Sequence, residues 1–405
     1  MIDSAHADAL AARNHLAAQG WIARKAESFR HLPPPDAALW LGQGGDTAPF
    51  DEIAALADGW TLYPVPGASA ADVEVRWFDA ADPGQRAEIF AGLPAPGDDE
   101  AAPFAWAHRA LVRQALRLRI APSAEPAFLY LEHRACNAVE APLLLVELLP
   151  GARCVLLESH EREAGREVVQ NLQLHVRVGE GARLQHLRHA SPARGDRFAH
   201  HLHARVEREG QYEQCLLATG SDYHLQRNVL DLQGEGASAR VGGVLLSAGA
   251  ALEQQVVARH AAARTRSSAE VLALASGASR VVANANTYIA AGSDEADARQ
   301  RLSGIPTGGQ PRIVLRPHLE IHHDQVQAAH GATWGALPEE ALFHARQRGL
   351  DEATAKALIL EGLARAVLSR AIDVAQIPAA MQLDTPLALA VAEHLGRAGK
   401  EQAHG

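Results

Sequence analysis

Lysine is almost missing from this chain: Lys25, Lys356 and Lys400 are the only three in 405 residues, and arginine supplies nearly all the positive charge. Positive charge is itself in deficit, with 38 Lys+Arg against 48 Asp+Glu and a formal net charge of −10. A general nucleic-acid or anionic-membrane binder needs a basic face, so neither partner is expected. Cysteine is scarce. Cys136, Cys154 and Cys215 stand far apart, and no C-x-x-C occurs. That spacing argues against a structural zinc knot or a ferredoxin-type cluster built by this chain alone. The odd count also argues against a secreted disulfide framework. Aromatic residues make up only 5% of the chain. No apolar run approaches the roughly 18 residues that a membrane helix needs. Met1-Ile2-Asp3-Ser4 places an acid where a signal peptide would carry its cationic segment, so a soluble cytoplasmic protein is expected. G-x-x-x-x-G-K-[ST], G-x-S-x-G and H-E-x-x-H are all absent, which removes the P-loop ATPase, the nucleophile elbow and the zincin arrangement.

What is present is a 47% hydrophobic chain, long enough for two to three domains, with 21 histidines. Residues 1–110 read as a helical N-terminal domain. Ser4 can cap a helix over Ala5–Ala18 that ends near Gly20, and a second short helix fits Asp51–Ala57. The Pro-, Gly- and acid-rich stretch at about 80–103 reads as a mobile loop. From 111 to 335 the pattern is period two. Leu116, Leu118 and Ile120 alternate with arginines; Leu172 to Val178 and Leu202 to Val206 alternate with Gln173, His175, Arg177, His203 and Arg205. Strict alternation marks strands with one buried face. Glycine-centred turns recur at 181, 210, 236, 249 and 277, in steps close to one or two units of about 14 residues. No helical period separates the strands, which disfavours a doubly wound α/β fold. A β-solenoid with two strands per coil and a large sandwich both fit. Residues 336–405 turn helical again: Pro338, Glu339 and Glu340 open one helix and Gly349 ends it. Asp351 caps a longer one whose Ile359, Leu363 and Val367 form an apolar stripe, and a third segment spans about Pro386–Leu395 before a frayed tail.

The densest chemistry lies in Pro317–Gly335, with His318, Glu320, His322, His323, Asp324 and His330. On a strand, His318, Glu320 and His322 share one face; they are either the wet face of an alternating strand or N and O donors for a borderline metal. His330 precedes Gly331 at a strand-to-loop junction and is either a packed or a functional histidine. His186, His189, His200, His201 and His203 form a second group, read as surface-lining histidines of a β-face. Cys154 and Cys215 lie in apolar strands and read as small buried hydrophobes; Cys136 has a more polar setting. Arg312 and Arg316 beside Glu320 and Asp324 leave room for a β-helix carbohydrate-active enzyme of the polysaccharide-lyase kind.

Leu319-Glu320-Ile321, Asp324-Gln325-Val326, His330-Gly331-Ala332-Thr333 and the run from Glu339 to Leu350 resemble the SufB/SufD family, scaffold subunits of the SUF iron–sulfur cluster assembly system. The glycine after His330 is similar to the SufD branch. The resemblance implies a mainly β fold: a right-handed parallel β-helix core between N- and C-terminal helical domains. It implies a non-enzymatic subunit that works with a SufB-like subunit and a SufC-like ABC ATPase, the latter docking after Pro338, with Leu342, Phe343, Ile359, Leu363 and Val367 as candidate contacts. It maps the family's functional histidine onto His330, which would help hold iron or a nascent cluster together with a cysteine of the SufB-like partner. His318, Glu320 and His322 are candidate metal-proximal residues. Many SufD sequences carry a cysteine two residues before this histidine; Ala328 stands there, so no thiolate comes from this chain at that site. No metal or cofactor bound tightly by the chain alone is expected; iron or an iron–sulfur cluster would be held transiently in the complex. A homodimer is expected when the partner is absent, because a solenoid with an open edge invites pairing.

Overall fold

A computed structural model describes residues 4–42, 59–65, 73–97, 99–161 and 165–403. The helix expected over Asp51–Ala57 lies outside the described residues. Strands β1 (Trp60–Tyr63) and β2 (Val73–Asp79) precede β3 (Gln114–Ile120), β4 (Ala127–Arg134), β5 (Val139–Glu140) and β6 (Leu143–Leu148). Then come β7 (Arg153–Glu161), β8 (Val169–Val178), β9 (Arg183–Ala190), β10 (Arg197–Val206), β11 (Gln211–Thr219) and β12 (Tyr223–Leu232). The series ends with β13 (Ser238–Ala248), β14 (Ala251–His260), β15 (Arg266–Gly277), β16 (Arg280–Ile289), β17 (Ala296–Gly309), β18 (Arg312–Ile321) and β19 (Val326–Trp334).

Odd and even strands from β6 onward fall into two sheets. The first is ordered β1, β4, β7, β9, β11, β13, β15, β17, β19 and the second β2, β3, β6, β8, β10, β12, β14, β16, β18. Each coil gives one strand to each sheet, and coils stack in parallel register into a β-solenoid of about eight turns. The sandwich reading is thereby set aside. The turns work as the glycines suggest. Gly181, Gly236, Gly249 and Gly277 have φ between 59° and 70°, a region costly for residues with a Cβ. At the 210 turn the left-handed residue is instead Glu209, at φ 53°. The alternating apolar rows meet between the sheets in one continuous core from Trp60 to Ile313.

The two ends differ. At the start, β1 pairs antiparallel with β4 and β2 antiparallel with β3, so both sheets are capped. The N-terminal region is therefore not helical throughout, as its sequence suggested. At the other end, β18 and β19 are the last strands of their sheets.

Helices cover the outer faces. α1 (Ser4–Gln19) stops at Gly20, where φ is 86°. Together with α2 (Ala37–Leu41), α3 (Pro83–Ala91) and α4 (Ala102–Leu111) it lies over the second sheet. Fully buried Phe104 anchors this layer, with its ring 5.0 Å from both Trp21 and Trp40. The expected mobile loop over 80–103 is corrected here. Asp82 caps α3 by accepting the Gln85 N–H at 2.8 Å, and Pro83 occupies the first turn, where its missing N–H costs nothing. Asp99 then ties the segment down by accepting from Arg227 at 2.5 Å.

α5 (Glu339–Gln347), α6 (Glu352–Ala371) and α7 (Asp384–Ala403) close the chain. Asp351 caps α6 by accepting the Thr354 N–H at 3.0 Å. α7 continues to Ala403, beyond the frayed tail expected from Arg397. α6 and α7 pack over the first sheet in a second core, which includes Cys215, Val244, Leu272, Leu360, Val367 and Leu387. Gly242 permits the approach of α6: a Cβ there would stand 2.8 Å from the Ala371 Cβ and 3.0 Å from the Val367 carbonyl oxygen. Because one obstacle is helix backbone, Gly242→Val is expected to push α6 outward and destabilise the chain by about 2–3 kcal/mol, the upper range for overpacking. Urea unfolding checks this; a loss below about 0.5 kcal/mol would show that α6 does not sit against β13.

Candidate functional site

The uncovered end of the solenoid is the candidate site. On β17 the inward row is Ala296, Ala298, Gln300 and Leu302, all buried. These residues pair with Val326, Ala328, His330 and Ala332 on β19. His330 therefore stands in the inward row of the last strand, where the next coil's interior would lie. On β18 the inward row continues Val281, Ala283, Ala285, Thr287 and Ile289 of β16 as Ile313, Leu315, Pro317, Leu319 and Ile321. Both rows emerge into solvent. Ile321 is 41% and Trp334 61% exposed, and every residue of β19 after Val326 is exposed. His330 is the single titratable side chain in these two rows. Beneath it, in register, Gln300 donates to the Thr287 hydroxyl at 2.8 Å and to the His318 carbonyl at 2.9 Å. Its own Oε1 is buried and has no hydrogen-bond partner.

His318, Glu320 and His322 do not join His330. His318 and Glu320 pair with Asn286 and Tyr288, on the outward row of the second sheet. His322 follows the strand and bonds Glu320 at 2.9 Å. They form a wet outer face, the first of the two readings above. His323 bonds Asp294, and Arg316 ties the end to the N-terminal layer by donating to the Glu27 carbonyl at 3.0 Å.

The second histidine group divides, which corrects its reading as a surface. His201 and His203 point outward, as expected of residues sharing a strand face, but they line a cavity of about 500 Å³ between the second sheet and the 90–105 segment. Burial pushes His201 down to about 3, and His203 bonds Asp231 at 2.7 Å. His189 lies on the outer face of the first sheet, beside α7. His186 and His200 point into the solenoid core and are fully buried. There they meet Glu158, His160 and Arg188, which the sequence reading missed. The row Cys154, Leu156, Glu158, His160 carried the signal, because extending the apolar alternation by two residues leads straight to them. Burial opposes the charge of Glu158, but the Arg188 guanidinium and contacts with His160 and His186 outweigh it and hold the carboxyl well below its usual range. Burial holds His186 below its ordinary value.

Cys154 and Cys215 are buried as expected, and burial pushes the Cys154 thiol up to about 12. The Cys215 thiol donates to the Leu368 carbonyl at 3.1 Å. Among the candidate docking residues, Val367 is removed from the set: it packs against the chain's own first sheet, and Leu363 packs beside it. Ile359 and Leu342 are half-buried, while Phe343 is 57% exposed. Leu358 and Leu389 add to the exposed apolar surface of these helices.

These features define a class: a two-sheet parallel solenoid, capped at one end, that offers edges unpaired among the described residues, an apolar row and one histidine at the other. The family described as "SUF system FeS cluster assembly, SufBD core domain" matches residues 131–363, more than half of the chain. The chain belongs to this SufBD family of iron–sulfur cluster assembly proteins. It is 29% identical over 104 residues to the iron–sulfur cluster assembly protein SufD of Escherichia coli, covering 22% of this chain and 25% of that protein. It is 31% identical over 74 residues to an iron–sulfur cluster assembly SufBD family protein of Synechocystis, covering 18% of this chain and 16% of the relative. The chain thus matches a quarter or less of the length of each of these relatives. Among the described residues no helix is long and apolar enough to cross a membrane.

Proposed function

We propose that this chain is a non-enzymatic scaffold subunit of the SUF machinery, acting in the cytoplasm, whose open solenoid end joins a SufB-like partner. The observation that carries the reading is the uncovered end itself: two unpaired strand edges flank inward rows that are apolar except for His330. Unpaired edges of this length are templates for another strand. A partner solenoid set end to end would continue both sheets, bury Ile321 and Trp334, and enclose His330 at the junction. An imidazole from one subunit and a thiolate from the other then make a ligand set that opens when the subunits part, which suits iron or a nascent cluster handled as cargo. The exposed Phe343, Leu358 and Leu389 supply the apolar surface on which a SufC-like ATPase would dock. The carbohydrate-active enzyme is not favoured, since it has no use for a SufBD core.

The test is co-expression with the SufB and SufC proteins of the same genome, followed by mass determination of the purified complex and cluster reconstitution. One copy of this chain per complex is expected, lost on deletion after Leu337. His330→Ala should leave assembly and thermal stability unchanged and slow cluster formation at least about tenfold, the scale of losing one ligand. Without partners, a second copy should cover the open end, so light scattering should give a dimer. No association with SufB, or cluster formation at the wild-type rate in His330→Ala, would refute the reading.

A further inference from the structure

The inward cluster in the middle of the solenoid lies apart from the open end, enclosed between the two sheets. Among the described residues, Glu158, His160 and His200 form the one group of three whose donor atoms all lie within 4.8 Å of one another, and all three are buried. Glu158 Oε1 is 2.6 Å from His160 Nε2 and 3.6 Å from His200 Nε2; Glu158 Oε2 is 2.9 Å from His186 Nε2. Donors about 2.0–2.2 Å from a tetrahedral ion stand roughly 3.3 Å apart, so these spacings bracket what an ion needs.

Two atoms of the cluster are placed as a pair of donors for a cation. Glu158 Oε2 and His186 Nε2 are fully buried and face each other at 2.9 Å, with the ring poorly aligned for a hydrogen bond between them. His186 Nδ1 is engaged by the Tyr212 hydroxyl at 3.1 Å. With the proton on Nε2 the imidazole donates to the carboxylate; with the proton on Nδ1, donated to Tyr212, Nε2 turns a lone pair toward the carboxylate and a cation between the two atoms relieves the contact. The tyrosine then acts as the outer partner that fixes a ligating imidazole. We propose that this interior cluster is a binding site for a divalent first-row transition cation such as Zn²⁺, Fe²⁺ or Co²⁺, with Glu158, His160 and His186 as ligands and His200 completing the set. Imidazole and carboxylate donors select this class over calcium or magnesium.

Arg188 is the competitor. Its Nε lies 3.4 Å from Glu158 Oε2, and its Nη2 donates to His200 Nδ1 and, at 2.9 Å, to Gln226 Oε1. While Arg188 holds His200 Nδ1, the neutral His200 keeps its proton on Nε2 and cannot ligate. The guanidinium thus stands in for the ion, and metal occupancy requires it to swing away. Buried Gln214 and Gln254, whose amide atoms all lack partners, and the unpartnered Asn228 Nδ2 mark polar capacity in the same interior. The ion is enclosed, so it would enter as the chain folds. This differs from the expectation that no metal is tightly held by the chain alone, and it is independent of the scaffold reading.

The test uses the full chain, made without a histidine tag in cobalt-supplemented medium, and measures bound cobalt and its visible absorption. The wild type should hold about one Co²⁺ per chain with four-coordinate bands. Glu158→Gln should reduce the cobalt at least about tenfold, and Arg188→Met should raise or preserve it. If Glu158→Gln does not fold, His186→Gln makes the same comparison. Equal cobalt in all variants, or octahedral bands throughout, would assign the metal to surface histidines and overturn the proposal.

Discussion

On acidification from pH 7 the chain should unfold cooperatively between about pH 5.5 and 4.5. Burial pushes His108, His260 and His394 down to about 4, and His201 and His224 down to about 3. His108 donates from Nε2 to the Pro142 carbonyl at 3.0 Å, His224 sits in the solenoid core, and His394 meets Thr307 at 2.6 Å. The unfolded chain takes up these protons near 6.5 and the native chain does not. The stabilisation is therefore complete above pH 6.5 and is lost as the pH falls toward the depressed values. Each group contributes about 1.4 kcal/mol per pH unit inside that window. His175, half-buried at the rim of the cavity and also pushed down to about 3, counts least. Glu253 acts in the other direction. Burial raises it to about 8, so its contribution is largest in acid and fades as the pH rises from 4.5 to 8. It offsets about one histidine. The remainder removes several kcal/mol per pH unit from a total on the order of 5–15 kcal/mol. Circular dichroism and urea titration across the pH series read this directly. A chain still folded at pH 4 would mean that these imidazoles are not held neutral in the interior.

The repeat was legible because a solenoid writes each coil in the same grammar. Leu172, Leu174, Val176 and Val178 of β8 and Leu202, Ala204 and Val206 of β10 alternate cleanly, and the glycines between strands supply left-handed turns. The capped end was not legible. β1 and β2 are short, pair antiparallel, and owe their state to the edges of β4 and β3 rather than to their own pattern. The histidines misled for a related reason. A polar residue at period two normally marks the wet face, but a solenoid has an interior row on every strand, and β9 places His186 and Arg188 in that row after Leu184. Continuing the row through β7 and β10 would have found Glu158, His160 and His200. The triple His318, Glu320, His322 was open in the sequence between a wet face and a metal site. The sequence put all three on one face, but only the register with β16 tells that the face is outward, and only the register with β17 tells that His330 is inward. The Ile359, Leu363, Val367 stripe was also correct as a helix face. What it packs against depends on the two-glycine step at Gly242 and Gly243, which opens the outer row to α6 and the inner row to the Gln254 side chain.

Arg188→Ala should destabilise the chain by about 3–5 kcal/mol when measured with a chelator present, close to the largest effect a single surface-preserving substitution can have here. Arg188 is 1% exposed and Glu158 is fully buried, so neither charge has water as an alternative partner. Truncating the arginine leaves a carboxylate in the core without its guanidinium partner. That uncompensated charge, rather than the lost contact, sets the cost. Glu158→Ala should cost a similar amount, because it strands the guanidinium instead. Removing both charges together, as Glu158→Gln with Arg188→Met, should recover most of the loss and bring the chain within about 1 kcal/mol of wild type. The cycle therefore separates a charge effect from a packing effect. If the single and double variants lose stability additively, the two side chains do not share the interior as a pair. Adding Zn²⁺ during refolding then distinguishes the two occupants of the carboxylate. Arg188→Ala retains Glu158 and should regain stability in proportion to metal concentration, whereas the double variant has no anionic ligand and should not respond.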